Sequence, residues 1–167
     1  LVSGNAPGRM GNAHQNIVPY QVFATSDGHI IVAVGNDGQF DSLCHIAKRP
    51  DLGTDPRFIR NSGRVANRTG LVPILENIFL KQTSAQWLAA LESVSVPCGP
   101  INNLSQVWED PQVQHRGMKT DLDHPLSGRV PTIANPLRLS LTPVSYRKAP
   151  PILGADTHAV LEEILGW

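Results

Sequence analysis

The feature that most constrains this chain is where its prolines fall. Of 14 prolines in 167 residues, six stand at 125, 131, 136, 143, 150 and 151. Each removes a backbone donor and fixes φ, so no long helix or central strand continues through that stretch. Only short β-like pieces fit between them, at Gly128 to Ile133 and Leu137 to Leu141, and the whole reads as a return segment that wraps other structure. A final helix over Asp156 to Leu165 places Val160, Leu161, Ile164 and Leu165 on one face and needs a surface to bury them.

Upstream the patterning is regular. Two β-rich runs, Tyr20 to Thr25 and His29 to Val34, flank Ser26-Asp27-Gly28, and the Asp-Gly pair predicts a tight hairpin. Asn36 then stands as an N-cap before Phe40, Leu43, Cys44 and Ala47, whose spacing is helical, with Pro50 and Gly53 ending the helix. Leu71, Ile74, Leu75, Ile78 and Phe79 trace a second helix. A start near Arg64 would have Pro73 kink it, whereas a start near Thr69 puts Pro73 in the tolerant first turn; both remain open. Thr83-Ser84-Ala85-Gln86 is a capping box for a helix to about Glu92, and a short helix is expected over Leu104 to Glu109. The fold class is α+β: a small domain of hairpin and helices, then the proline-rich return segment and a closing helix.

Composition narrows the function. With 14 basic and 14 acidic residues the net charge is zero and neither sign forms a run, which argues against nucleic acid and membrane surfaces as partners. Hydrophobic residues make up 41%, enough for a core, yet no apolar stretch is long enough to span a bilayer. Two cysteines, Cys44 and Cys98, fit neither a disulfide framework nor a CxxC pair, so free thiols in a reducing, cytoplasmic compartment are expected. The chain opens on Leu1 in a polar loop without an initiator methionine, as a fragment would.

Chemical motifs are few. Phosphate-binding, zinc-protease and serine-hydrolase signatures are absent, and six scattered histidines give no metal-ligand spacing, so no catalytic residue and no metal ligand is assigned. Cys98, between Pro97 and Pro100, reads as a small residue in a rigid turn. Lys119-Thr120-Asp121-Leu122-Asp123-His124 reads as alternating charge on an exposed strand rather than as an acid/base cluster. The suggestive segment is Gly11-Asn12-Ala13-His14-Gln15, just before the first strand. Small and amide residues there let backbone donors approach a ligand, and His14 adds a titratable group.

Three stretches carry a resemblance. Gly11-Asn12-Ala13-His14-Gln15-Asn16-Ile17-Val18-Pro19-Tyr20 followed by Phe23-Ala24-Thr25-Ser26-Asp27-Gly28, then Val96-Pro97-Cys98-Gly99-Pro100-Ile101-Asn102-Asn103 with Asp110-Pro111-Gln112-Val113 and Arg116-Gly117-Met118, then Pro150-Pro151-Ile152-Leu153-Gly154 running to Val160-Leu161, resemble class III CoA-transferases of the carnitine and formyl-CoA type in the same order. The resemblance implies a linker and active-site-type loop over 1–18, a small domain over 19–110, and over 111–167 a return segment and helix belonging to a Rossmann-like large domain. It also implies interlocked homodimers of the full-length parent, acyl-CoA and a carboxylic acid as substrates, no separate cofactor, and an aspartate nucleophile upstream of Leu1. In formyl-CoA transferase a glycine-rich loop covers that aspartate, which makes Gly11, Asn12, Ala13, His14 and Gln15 the substrate-binding candidates here. Ala13-His14 stand where further glycines are expected, which favours a different acyl group. Asp156 stands where a histidine is expected, a change of helix cap. Two other readings fit the same residues: an acyl-CoA racemase of this fold, or a noncatalytic binding or dimerisation module.

Overall fold

The computed structural model describes Gly4, Ala6 and residues 8–167; the remainder of the 1–18 segment lies outside the described residues. The architecture is α+β, and the chain divides into two compact units between Ile101 and Asn102.

In the first unit, strands β1 (Tyr20–Ala24) and β2 (His29–Ala33) form the predicted hairpin. The Asp-Gly pair does not make the two-residue turn its sequence suggests, since neither residue has positive φ. Four residues connect the strands, closed by Thr25 N–H donating to Gly28 at 2.9 Å. The reason lies in Asp27, whose carboxylate accepts from Ser84 N–H at 2.7 Å and from Thr25 Oγ1 at 3.0 Å, binding the turn to a helix N-terminus. These bonds hold the Asp27 carboxyl below its ordinary value, the Ser84 N–H contributing most.

Five helices pack beside this sheet. Helix α1 (Asp37–Ile46) starts at Asn36, whose side chain accepts from Gln39 N–H at 2.9 Å. Pro50 and Gly53 do more than end it: Pro50 opens a separate short helix, α2 (Pro50–Thr54), in the first-turn position where its missing donor costs nothing. Gly53 is buried against α1, and a Cβ there would lie 2.8 Å from Asp41 Oδ1. Helices α3 (Asn61–Ala66) and α4 (Arg68–Phe79) separate at Asn67, so α4 starts one residue from Thr69 as the second expectation had it, but Pro73 falls in its second turn rather than its first. Its ring removes the donor for Thr69, a residue on the exposed side where solvent can substitute. Helix α5 (Ser84–Ser93) carries the predicted capping box between Thr83 and Gln86.

Strand β3 (Cys98–Pro100) corrects the reading of 96–100 as a turn: it pairs antiparallel with β2 and completes a sheet of order β1-β2-β3. Ala33 N–H donates to Pro97 and Ile101 N–H to His29, so alternation turns the nitrogen of Pro100 away from β2. Proline is tolerated there because β3 is an edge. Between sheet and helices lie Phe23, Ile30, Val32, Phe40, Leu43, Leu71, Leu75, Phe79, Trp87 and Leu91, all essentially inaccessible. Phe79 packs tilted against Phe23, 4.6 Å between centroids and 31° between planes, and edge-on at 4.8 Å to Trp87, whose indole N–H donates to Phe79 C=O at 2.8 Å.

Arg64 is a charge inside this core. Its side chain is fully buried, with Nε donating to Val18 C=O at 2.6 Å, Nη1 to Phe58 C=O at 2.9 Å and Nη2 to Asp37 Oδ1 at 3.0 Å, while the guanidinium lies 4.4 Å over the Phe40 ring. Burial draws the Arg64 guanidinium below its ordinary value and Asp37 opposes that. At Asp37 burial works to raise the pKa, but hydrogen bonds from Arg60 and Arg64, the Arg64 charge and Asn61 N–H outweigh it and hold the carboxyl low.

The second unit contains α6 (Leu104–Glu109), α7 (Pro111–His115), the hairpin β4 (Lys119–His124) with β5 (Gly128–Ile133), and α8 (Thr157–Glu163). Helix α7 was not anticipated; Asp110 caps it by accepting from Gln112 and Val113 N–H. Lys119, Asp121 and Asp123 share the exposed face of β4, as the alternation implied. No strand forms over 137–141, because Leu137 N–H turns back to Asn135 Oδ1 at 2.8 Å and no neighbouring strand pairs with it. Asp156 flanks α8 without capping it; its carboxylate meets Lys148 Nζ at 3.2 Å. Among described hydrophobic residues of this unit only Ala134 is buried, and Ile164, Leu165 and Trp167 remain exposed.

Removing Arg64 leaves the carbonyls of Val18 and Phe58 without its donors and takes one of several partners from Asp37, so Arg64→Met is expected to cost about 2–5 kcal/mol of unfolding free energy. Urea denaturation measures it, and a loss under about 1 kcal/mol would remove Arg64 from the centre of the fold. A carboxyl lowered by folding stabilises above its unfolded pKa and loses that contribution as pH falls through the folded value. Stability should therefore decline on acidification below about pH 4, with a shallower slope in Asp37→Asn.

Candidate functional site

The segment 11–15 lies along the outer edge of β1, where a strand would otherwise present unpaired backbone groups. His14 N–H donates to Tyr20 C=O at 2.9 Å, and Asn12 Oδ1 accepts from Val22 N–H at 3.0 Å. Ala13 N–H closes a turn onto Met10 C=O at 3.1 Å with Gly11 at φ 60°, a conformation that glycine adopts without strain. A Cβ on Gly11 would meet nothing within 4 Å, so the glycine serves the turn and not a close contact.

From below, the loop is held by groups distant in sequence. Arg68 Nη2 donates to the carbonyls of His14 at 2.8 Å and Gln15 at 2.7 Å. Asn61 bridges two more backbone positions, donating to Asn16 C=O at 2.8 Å and accepting from Val18 N–H at 3.1 Å. Arg64 takes Val18 C=O, and a cis peptide joins Val18 to Pro19. Loop carbonyls are thus turned toward the protein. Outward it presents Gly11, Asn12, His14 and Gln15, all exposed, with Ala13 half-buried.

The structure brings all five sequence candidates into one restrained surface. What sequence reasoning missed is the restraint: Arg68 and Asn61 belong to no motif, and 53 and 45 residues separate them from the carbonyls of Gln15 and Asn16 that they hold. Other candidates have structural duties. His124 Nδ1 accepts from Leu126 and Ser127 N–H and closes the β4–β5 turn. Burial pushes the Cys44 thiol up to about 12 and raises Cys98 as well, the opposite of what a nucleophile requires. Among the described residues there is no group of three or more His, Cys, Asp or Glu that could hold a metal, and no helix long and apolar enough to cross a membrane.

Arg68→Ala should free the loop without unfolding the domain. Loss of one charge-assisted donor, worth about 1.5–3 kcal/mol, predicts at least tenfold faster amide exchange at His14 and Asn16. Unchanged exchange rates would show that the loop is held by something else.

Comparison with known proteins places these features. CoA-transferase family III matches residues 1–157. A succinate–glutarate CoA-transferase from Agrobacterium fabrum is 42% identical over 164 residues, covering 98% of this chain and 41% of that protein. The Homo sapiens succinyl-CoA:glutarate CoA-transferase is 38% identical over 167 residues, covering 100% of this chain and 38% of its own. Among solved structures, a CAIB/BAIF family protein from Brucella suis superposes with a TM-score of 0.80 at 41% identity, covering 97% of this chain and 42% of that one. The chain therefore spans about two fifths of the length of the relatives it matches. With the loop, the hairpin and the stretch from Pro150 to Gly154 inside the matched range, the chain belongs to CoA-transferase family III.

Proposed function

We propose that this chain is the C-terminal part of an enzyme that moves CoA between an acyl-CoA thioester and a carboxylic acid, with a nucleophilic aspartate outside the chain. The observation that carries this reading is identity of 42% and 38% across nearly every residue to enzymes named for CoA exchange between succinate and glutarate. An acetyl-CoA:oxalate CoA-transferase from Acetobacter aceti, 36% identical over 138 residues, points the same way.

The proposed exchange proceeds by covalent catalysis. The aspartate carboxylate attacks the thioester carbonyl and expels CoA thiolate, leaving a mixed anhydride. The thiolate attacks the aspartyl carbonyl, which releases the donor acid and leaves an aspartyl-CoA thioester. The acceptor carboxylate repeats the sequence in reverse, and the aspartate is regenerated with no net change in protons. Each intermediate is prone to hydrolysis, so a cover that excludes water is a functional requirement. The segment 11–15 suits that duty: polar outward residues on a backbone anchored by Arg68, Asn61 and Tyr20. In this reading 1–18 is linker and cover and 19–110 the small domain. Residues 111–167 return to a Rossmann-like large domain, consistent with the sparse core of the second unit. A homodimeric, cytoplasmic parent completes the proposal, the latter resting on two free thiols.

The test is CoA transfer from succinyl-CoA to glutarate, assayed for the complete gene product and for this polypeptide alone. Activity only in the complete product is expected. Turnover by this polypeptide alone would overturn the upstream placement of the nucleophile, and an inert complete product would overturn CoA transfer itself.

A further inference from the structure

In the second unit, residues 135–146 form a loop that closes on its own ends. Asn135 N–H donates to Tyr146 Oη, and Asn135 Oδ1 accepts from Leu137 N–H at 2.8 Å. Arg116 Nη2 holds the start of the loop by donating to Pro136 C=O at 2.7 Å, and Ala134 N–H, just before it, donates to Met118 C=O at 2.8 Å. Between this loop and the start of β4 lies a cavity of about 250 Å³, contained wholly in the second unit.

The lining carries charge of one sign. Lys119 and Arg138 border the cavity and no carboxylate does. Ion pairs in this unit join Arg129 to Asp123 and Lys148 to Asp156, which leaves Lys119 and Arg138 without an acidic partner among the described residues. Arg138 Nη2 lies 3.9 Å from where a Cβ on Gly117 would stand, so its guanidinium rests near the backbone of a second lining residue. Tyr146 adds a third donor: its oxygen accepts from Asn135, and its own O–H has no acceptor among the described residues. Beside these donors, Leu137, Leu139 and Val144 line the cavity with aliphatic surface while 64%, 53% and 42% exposed.

An ammonium, a guanidinium and a phenolic O–H around one space select an anion, because donors to a charged acceptor form the stronger hydrogen bonds. The aliphatic lining then selects among anions. Inorganic phosphate would leave those side chains in water, whereas an alkyl chain covering them gains from each methylene it buries. Pockets for drug-sized ligands run from about 300 to 1,000 Å³, so this one suits a ligand of fewer atoms. We infer that the cavity is a binding site for a short-chain aliphatic carboxylate: the carboxylate accepts from Arg138, Lys119 and Tyr146, and the alkyl chain lies along Leu137, Leu139 and Val144. This goes beyond the exchange reading and holds whatever reaction the complete protein performs.

The test is equilibrium dialysis of labelled hexanoate against the complete gene product, with acetate, inorganic phosphate and CoA as competitors. Two variants of exposed side chains separate the head group from the chain: Arg138→Met removes the guanidinium, and Leu139→Ala shortens the wall. Circular dichroism checks that both fold. The expected result is one saturable site in the millimolar range or tighter, at which hexanoate binds at least tenfold more tightly than acetate. Arg138→Met should weaken hexanoate tenfold or more, and Leu139→Ala should weaken hexanoate at least threefold while leaving acetate unchanged. Absence of saturable binding would overturn the inference, as would hexanoate binding that ignores Arg138→Met. Acetate or phosphate competing as well as hexanoate would remove the alkyl subsite. CoA that displaces hexanoate and itself loses affinity in Arg138→Met would make the cavity a phosphate seat and overturn the carboxylate assignment.

Discussion

The first unit depends on a single buried guanidinium. Arg64 reaches three elements at once: the carbonyl of Val18 at the base of the loop, the carbonyl of Phe58 before α3, and Asp37 in the first turn of α1. A planar cation with several fixed donors can satisfy such divergent acceptors, and Phe40 covers its face. Removing that charge from water is costly, and what offsets the cost is that its hydrogen-bonding partners are all in place. Because Asp37 also receives Asn61 N–H, and Asn61 in turn holds Asn16 and Val18, one polar network links helix packing to loop position.

This linkage explains how a surface loop of small residues keeps one shape. Its side chains contribute little burial, and its order comes from backbone carbonyls drawn down by Arg68 and Asn61 and from pairing against the edge of β1. The arrangement answers two needs together. An open strand edge is covered, which removes a site for unwanted pairing, and Gly11, Asn12, His14 and Gln15 are left facing outward. Under the CoA exchange proposed above, that surface would serve as a cover over reactive acyl intermediates.

Regular elements in the first unit were legible because their signals are local. A capping box at Thr83 and Gln86, an N-cap at Asn36 and the apolar spacing from Leu71 to Phe79 each act within one or two helical turns, and each appears where its residues stand. Misreadings share a different cause. Strand β3 at Cys98–Pro100 looked like a turn because two prolines argue against a strand in isolation; only the neighbouring β2 reveals that the edge side is where the missing donor falls. Pro50 looked like a terminator and is an initiator, because the backbone turns through Lys48 at φ 55° and begins again. Residues 137–141 had strand-like composition but no partner strand, and strand pairing is not a property of one segment.

By itself the sequence determined the α+β class, the hairpin, the capped helices, the five-residue loop as the place to look and the family, since these rest on propensities, caps and motifs that act over a few residues. Only the tertiary structure decided how the loop is held and why a charged Arg64 belongs in an apolar core. The loop is held by groups 43 to 54 residues away in sequence, and Arg64 by partners 6, 27 and 46 residues away, none of which falls in a local pattern that could be read.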